Sequence, residues 1–326
     1  MRALTYTRYG GPEVVAVTEV PQPKPAKGEI LVQVEASAVN TGDWRIRAAA
    51  FPGILAIPGR LMFGLTRPRR QALGTEFAGV VAALGPGATR FQVGDAVFGF
   101  ASGGGASAEY LSIAEEGAVA LRPAGLSAQE AAALPFGGLC ALAFLSDFAG
   151  LQPGQSVLIV GASGGVGCYA VQVAKALGAT VAGVAGPDSQ AFLTSLGVDV
   201  AYDYSATSLR QIEGPFDVVF DAVGAASPQD AWHLLREGGL FLPLNFGLRE
   251  IGAALTNPLR RRKIRLAVND DTAEALDKLS QMVTAGTLRP IIDTVFPLDE
   301  ARAAHAKVET RHRQGAIVLS IAEPKS

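Results

Sequence analysis

The stretch Ser156–Gly178, SVLIVGASGGVGCYAVQVAKALG, limits what this chain can fold into more than any other part of it. Val157 to Val160 is a short, wholly apolar and largely β-branched run, the composition of a strand buried on both faces of a parallel sheet. It breaks into Gly161-Ala162-Ser163-Gly164-Gly165-Val166-Gly167. Helical spacing follows, with Val166, Ala170, Val173, Ala174 and Leu177 on one side and Gly178 as a stop. Strand, glycine turn and helix start together present backbone N–H groups and a positive helix end to a pyrophosphate. Glycine suits the turn because a Cβ would block both the bend and the approach of phosphate oxygens. The spacing is looser than GxGxxG, and three glycines can also make a tight turn that binds nothing. A second strand pattern, Thr180 to Ala185, follows at once, however, so the motif sits in a strand–helix–strand unit of dinucleotide-binding size.

The alternation continues on both sides of this unit. Ser127 and Glu130 form a capping-box pattern that opens an Ala-rich helix, and a second helix is expected from Gly138 to Phe148. After the glycine unit come a helix at Gln190–Leu196, a strand at Val200–Tyr202, a strand at Asp217–Asp221 and a helix at Pro228–Arg236. Strands at Leu240–Leu244 and Ile264–Val268 complete six, the number a doubly wound parallel sheet requires.

Residues 1–123 read differently. Short strands at 14–20, 30–39, 77–83, 96–100 and 108–113 are punctuated by glycine and proline, as in a small barrel-like domain. Residues 48–73 interrupt them as a loop or short-helix insertion. It carries Arg67, Arg69 and Arg70, on a solvated face or against an anion, and the apolar Phe51, Leu55, Leu61, Met62 and Phe63, which could line a pocket or a subunit contact. Beyond a helix at 272–285, strand, helix and strand patterns at 291–296, 298–308 and 316–321 match the first part of the chain. The expected division is therefore 1–123 with 271–326, and 124–270.

At 326 residues, 49% hydrophobic and 18% charged, the chain has material for two cores and is not a disordered one. A net charge of -2 gives no electrostatic case for nucleic acid or an acidic membrane. Two cysteines, Cys140 and Cys168, make no disulfide framework, and no apolar run has membrane-spanning length. These features point to a soluble, cytoplasmic protein.

Several segments, in order, resemble the zinc-independent quinone oxidoreductase-like branch of the medium-chain dehydrogenase/reductase superfamily. They are Ala38–Asp43 (AVNTGD), Leu73–Val81 (LGTEFAGVV), Val93–Gly99 (VGDAVFG), Ala133-Leu134-Pro135, the glycine motif, Gly239-Leu240-Phe241, Leu288–Ile292 (LRPII) and Phe296–Ala301 (FPLDEA). The resemblance implies a GroES-like β-rich substrate domain and a Rossmann domain, with a nicotinamide cleft between them, and a homodimer joined at the Rossmann sheet edge. Zinc-dependent relatives place Cys at Asn40 and His at Thr75, and many carry four clustered cysteines; this sequence has none of these. His233, His305 and His312 lie far from the motif and read as structural or solvent-facing. No metal is therefore expected.

What remains is NADPH-dependent, metal-free hydride transfer to a small hydrophobic quinone or enone, or else a non-catalytic NADPH-binding protein of the same fold. Conjugated acceptors need no Lewis acid, because the charge created by hydride delocalises onto an oxygen. The expected catalytic residues are Asn40 to orient nicotinamide or substrate, Asp43 to order the loop, and Arg45 as oxyanion partner, where related reductases carry Tyr. The expected cofactor contacts are Cys140, Ser163, Gly164, Gly165, Val166, Gly167, Ser189, Gln190, Tyr204, Val223, Asn245, Phe246 and Gly247. NADPH is expected over NADH because Ala185 stands where NAD-specific sheets carry an acid. The loop that follows has no Lys or Arg, Asp188 could instead reach a ribose, and Arg249 or Arg313 could supply a charge from elsewhere.

Overall fold

In the computed structural model, which describes residues 1–51 and 56–321, the first stretch of chain is β-rich, as its short glycine-punctuated runs require. Its strands are β1 (Arg2–Tyr6), β2 (Val15–Glu19), β3 (Glu29–Val39), β4 (Glu76–Leu84), β5 (Ala96–Phe100), β6 (Tyr110–Ala114) and β7 (Val119–Leu121). Helices α1 (Thr41–Ala48) and α2 (Ala56–Phe63) lie between β3 and β4, and α3 (Ala128–Ala132) follows β7. β1 and β2 form a ribbon, β3, β4, β5 and β7 run antiparallel across a larger sheet, and β6 joins β3. Ser127 and Glu130 do cap α3 reciprocally, and α3 packs on β3 and β4.

The chain divides by its contacts into two units, one of residues 1–51, 56–136 and 271–321, the other of residues 137–270. A helix, α4 (Pro135–Leu142), starts three residues before its expected Gly138 and widens to π geometry over Ala143–Phe148. The second unit then builds β8 (Ser156–Val160), α5 (Gly167–Ala176), β9 (Thr180–Ala185), α6 (Gln190–Ser195), β10 (Val200–Asp203) and β11 (Phe216–Asp221). It ends with α7 (Pro228–Leu234), β12 (Leu235–Pro243), α8 (Leu248–Leu255) and β13 (Lys263–Ile264). All six strands are parallel, in the order β10-β9-β8-β11-β12-β13. The chain winds outward in both directions from the β8–β11 junction, which is the switch point where such sheets bind ligands. Val157, Leu158 and Ile159 have no exposed surface, as a doubly covered strand predicts.

The sixth strand is shorter than its apolar run, which extends to Val268, and Val268 is largely exposed. The side chain of Asn257 ends it: Oδ1 accepts from the Ile264 N–H (3.0 Å) and Nδ2 donates to the Ile264 carbonyl (2.6 Å). Those are the groups that another strand would pair with at this edge.

After α9 (Ala273–Thr284), the chain returns to the first unit through β14 (Ile292–Pro297), α10 (Ala301–Glu309) and β15 (Ala316–Ser320). β15 lies antiparallel to β3, with Ile317 opposite Val39, and β14 pairs parallel with β15, so the two raise that sheet to seven strands. The first core gathers Leu4, Ile30, Val32, Phe77, Val97 and Ile317 under α10, and the second gathers Leu158, Val184, Val219, Leu234 and Phe241. Each fully buried Leu or Phe adds about 1.5–3 kcal/mol of transfer free energy. Among the described residues no helix is long and apolar enough to cross a membrane.

Candidate functional site

In the second unit, the loops after β8, β9, β10, β11 and β12 all leave the same end of a parallel sheet. This brings together the residues expected to hold a dinucleotide. Gly161 leaves β8 at φ +82°, a conformation that costs other residues strain, and a Cβ there would lie 2.4 Å from Val223 Cγ1. Gly167 starts α5 against the Gly161 carbonyl, 2.0 Å from where its Cβ would be. Gly164 faces open space instead, its nearest neighbour being the Gly161 carbonyl at 3.4 Å. The three glycines therefore make the turn, keep a mouth open and let helix and strand meet. That cradle fits a pyrophosphate.

At the far side of β8, β9 ends in Ala185. Tyr204 donates its backbone N–H to the Ala185 carbonyl (3.1 Å), and its phenol lies over Gly186, 3.1 Å from where a Cβ would be. Gln190 spends its amide holding the turn, donating to the Gly186 carbonyl (3.0 Å), and Ser189 is buried at the start of α6 while Asp188 is exposed. Of the three expected side chains, Tyr204 is the one that presents a half-exposed polar tip. Arg249 pairs with Glu250 (2.8 Å), and Arg313 belongs to the first unit, where it donates to Thr41 Oγ1 (3.0 Å).

The other side of the switch point is shaped by Asp221, which the sequence did not single out. Its buried carboxylate accepts from the N–H groups of Val223 (3.0 Å), Gly224 (2.8 Å) and Ala226 (2.7 Å). Burial raises its pKa against those donations. The loop so ordered carries Val223 over Gly161 and Gly224 beside Asn245. Asn245 and Phe246 are half-buried, and Gly247 donates its N–H to Glu250 (2.8 Å) at the start of α8. Cys140 is buried in α4 with its thiol toward Asn269 Oδ1 (3.5 Å), and Cys168 is buried in the first turn of α5.

In the first unit, Asn40 follows β3 and caps α1. Its N–H donates to Asp43 Oδ2 (2.9 Å), and its Oδ1 accepts from the Asp43 N–H (3.1 Å). With the amide oxygen so placed, Nδ2 gives its two hydrogens to Thr75 Oγ1 (2.8 Å) and Glu76 Oε2 (2.9 Å). Thr75 can then donate only onward, to Asp43 Oδ1 (3.2 Å), while Glu76 Oε1 accepts from the Phe136 N–H (2.8 Å). All four side chains are buried. Burial pushes Asp43 up to about 7 against the donations from Asn40 and Thr75. Burial, then the charge of Asp43, pushes Glu76 up to about 8, against donation from Asn40 and Phe136 and the attraction of Arg313. Asp43 is thereby tied into the cap of α1. The amide hydrogens of Asn40 are both spent within the quartet, so its part is to hold Thr75 and Glu76 rather than to donate to a ligand. Among the described residues no group of three or more His, Cys, Asp and Glu is placed to hold a metal ion.

A cavity of about 370 Å³ reaches the quartet at Asp43 and Thr75. Tyr6, Ile46, Phe63 and Leu73 supply apolar wall, and Arg69 and Arg70 border it from the exposed segment that follows α2. Met62 also faces it, and Phe63 stacks on Phe51 (ring centroids 5.4 Å apart), so part of the 48–73 insertion does line a pocket. Leu61 and Arg67 are exposed, and Leu55 lies outside the described residues. Arg45 is two residues from Asp43 and so on another helix face, and it does not border this cavity. Burial lowers its pKa, and the charge of Arg311 lowers it further. His305 is buried with its pKa pushed down to about 3, chiefly by burial and then by Arg47.

Comparison with known proteins agrees with this architecture. Residues 26–124 match the alcohol dehydrogenase GroES-like domain, and residues 196–319 match the zinc-binding dehydrogenase family. The chain is 32% identical to the chloroplast envelope quinone oxidoreductase homolog of Arabidopsis thaliana, over 98% of each protein. It is also 32% identical to the 2-methylene-furan-3-one reductase of Solanum lycopersicum, covering 98% of this chain and 79% of that one. The crystal structure of Escherichia coli quinone oxidoreductase complexed with NADPH superposes with a TM-score of 0.83 at 26% identity, covering 98% of this chain and all of the other. With relatives of this identity along nearly its whole length and both halves of the fold in place, the chain belongs to the quinone oxidoreductase-like branch of the medium-chain dehydrogenase/reductase superfamily.

Proposed function

We propose that this protein is an NADPH-dependent reductase of quinones or enones that works without a metal. The observation that carries the reading is the open glycine cradle at Gly164, at the switch point of the parallel sheet. When bound, the reduced nicotinamide supplies a hydride to an electron-poor carbon. The chain's own part is to bind and to orient. Gly161 to Gly167 hold the pyrophosphate, Tyr204 the adenosine side, and the Val223 and Asn245–Gly247 loops the carboxamide side. Ala185 at the end of β9 leaves room for a 2′-phosphate where an acid would repel it.

The metal-free part rests on the donor set around Asn40. An amide, a hydroxyl and two carboxyls, already bonded to one another, offer neither thiolate nor imidazole, which does not fit a zinc ion. The acceptor class follows from the chemistry and from the relatives. A quinone and a methylene-furanone both carry a C=C bond conjugated to C=O, so negative charge arising at carbon passes to oxygen.

An acceptor panel with NADPH and with NADH tests the reading. Expected are loss of reduced-cofactor absorbance with quinones and enones, activity unchanged by chelator, and a lower dissociation constant for NADPH than for NADH. Tight NADPH binding with no consumption by any acceptor would favour the non-catalytic alternative. Equal or tighter NADH binding would overturn the cofactor preference, and one tightly held zinc per chain would overturn the metal-free reading.

A further inference from the structure

Building on the reductase reading, we infer that the cavity beside Asp43 and Thr75 binds an anionic group on an apolar ligand, so that the substrate class is a carboxylated enone or quinone held by Arg69 and Arg70. The cavity, about 370 Å³, is of a size that takes a small ligand, and its walls are mostly apolar. Two guanidinium groups border it, and neither forms an ion pair among the described residues. The sequence leaves little to pair with locally: no Asp or Glu stands between Asp43 and Glu76.

The Arg70 guanidinium is placed rather than merely exposed. Its Nη1 donates to the Gly103 carbonyl (2.7 Å), and it occupies space a side chain at 103 would need, 2.3 Å from where a Cβ would be. One N–H is used in that bond, which leaves the rest of the guanidinium fork for a ligand. The segment bearing both arginines is itself anchored. The Arg69 N–H donates to the Phe63 carbonyl (2.8 Å), Tyr9 donates its hydroxyl to the Gly64 carbonyl (2.7 Å), and Arg60 donates to the Leu65 carbonyl (2.9 Å).

Asp43 is the carboxyl that could satisfy these cations from within the lining. Both its oxygens are already occupied by Thr75 and the Asn40 N–H, and burial holds its pKa up to about 7. A ligand with an apolar body and an anionic end thus meets apolar wall and two cations.

The test uses an aryl enone with a carboxylate remote from the conjugated bond, and its neutral primary amide. Binding of each is measured by calorimetry to the full chain with NADP present, and NADPH oxidation with each is followed in parallel. The acid should bind about tenfold or more tighter than the amide, and the preference should shrink as salt rises from about 0.02 M to about 0.5 M. Arg69→Gln and Arg70→Gln should each erase most of the preference and leave amide binding unchanged. Gly103→Ala should weaken it too, because the new methyl displaces the Arg70 guanidinium without changing any charge. Equal affinity for acid and amide, no binding of either, or a preference that survives in the Arg69→Gln/Arg70→Gln double variant would overturn the inference. Oxidation of NADPH by the amide without acid preference refutes the anion site and leaves the reductase reading standing. Acid preference without oxidation by either compound upholds the anion site and refutes the reductase reading.

Discussion

Asn40 shows how one side chain can fix the state of three others. Because its amide oxygen caps α1, its two hydrogens must go to Thr75 and Glu76, and Thr75 must donate to Asp43. The cost is two buried carboxyls whose folded pKa values stand above their unfolded ones. The folded state therefore binds more protons than the unfolded state in the interval between. The stabilisation is complete below about pH 4 and is lost as pH rises through about 7 for Asp43 and about 8 for Glu76. Glu76→Gln cannot titrate, so its unfolding free energy in urea should fall less steeply than that of the native protein between about pH 5 and about pH 8. The slopes should differ by at most about 1.4 kcal/mol per pH unit, and parallel slopes would show that Glu76 stays ionised throughout. His305 acts on the acid side. Its folded pKa is depressed to about 3, so its contribution is present above about pH 6.5 and fades as pH falls. Arg45, which does not line the cavity, should tolerate Arg45→Met with kcat/KM within about twofold of the native value.

Elements set which of these groups can meet. In the β8–α5 turn, the glycines should separate by substitution. Gly164→Ala adds a methyl only to the open mouth, and should raise the NADPH dissociation constant about tenfold or more with little change in melting temperature. Gly167→Ala drives a methyl into the Gly161 carbonyl and should lower the melting temperature whether or not cofactor is bound. Equal effects of the two on stability would contradict the division of labour. This turn was legible in the sequence because strand, glycines and helix are contiguous. The quartet was not: the Asn40–Asp43 cap has a local spacing that went unread, and the rest has none. Glu76 reaches Asn40 because β3 and β4 pair in a register that sets Ala38 opposite Glu76, and long-range pairing leaves no local mark. The short β13 was misjudged for a similar reason. Its apolar run promised five residues, but Asn257 reaches back to occupy the backbone of Ile264. Arg69 and Arg70 stood out only as charges; the turn tied to Phe63 and the missing side chain at Gly103 place them at the cavity.

For the molecule as a whole, the clasp on Ile264 changes how a homodimer, which we propose from the family resemblance, would form. Strand addition at Ile264 is blocked, while Leu255, Leu259 and Val268 are 78%, 90% and 77% exposed in the same unit. Association should therefore use these side chains. Light scattering should give twice the chain mass of 33.7 kDa, and Leu259→Glu combined with Val268→Glu should give the single chain. A monomeric native protein would contradict this. The central claim, hydride transfer to a conjugated acceptor, is tested most directly by following the label from NADPH deuterated at the transferred position of its nicotinamide ring, with an enone in ordinary water. The account predicts one deuterium on the carbon β to the carbonyl and an ordinary hydrogen on the α carbon. Product with no deuterium on carbon, or deuterium on the carbonyl carbon of an allylic alcohol, would contradict it.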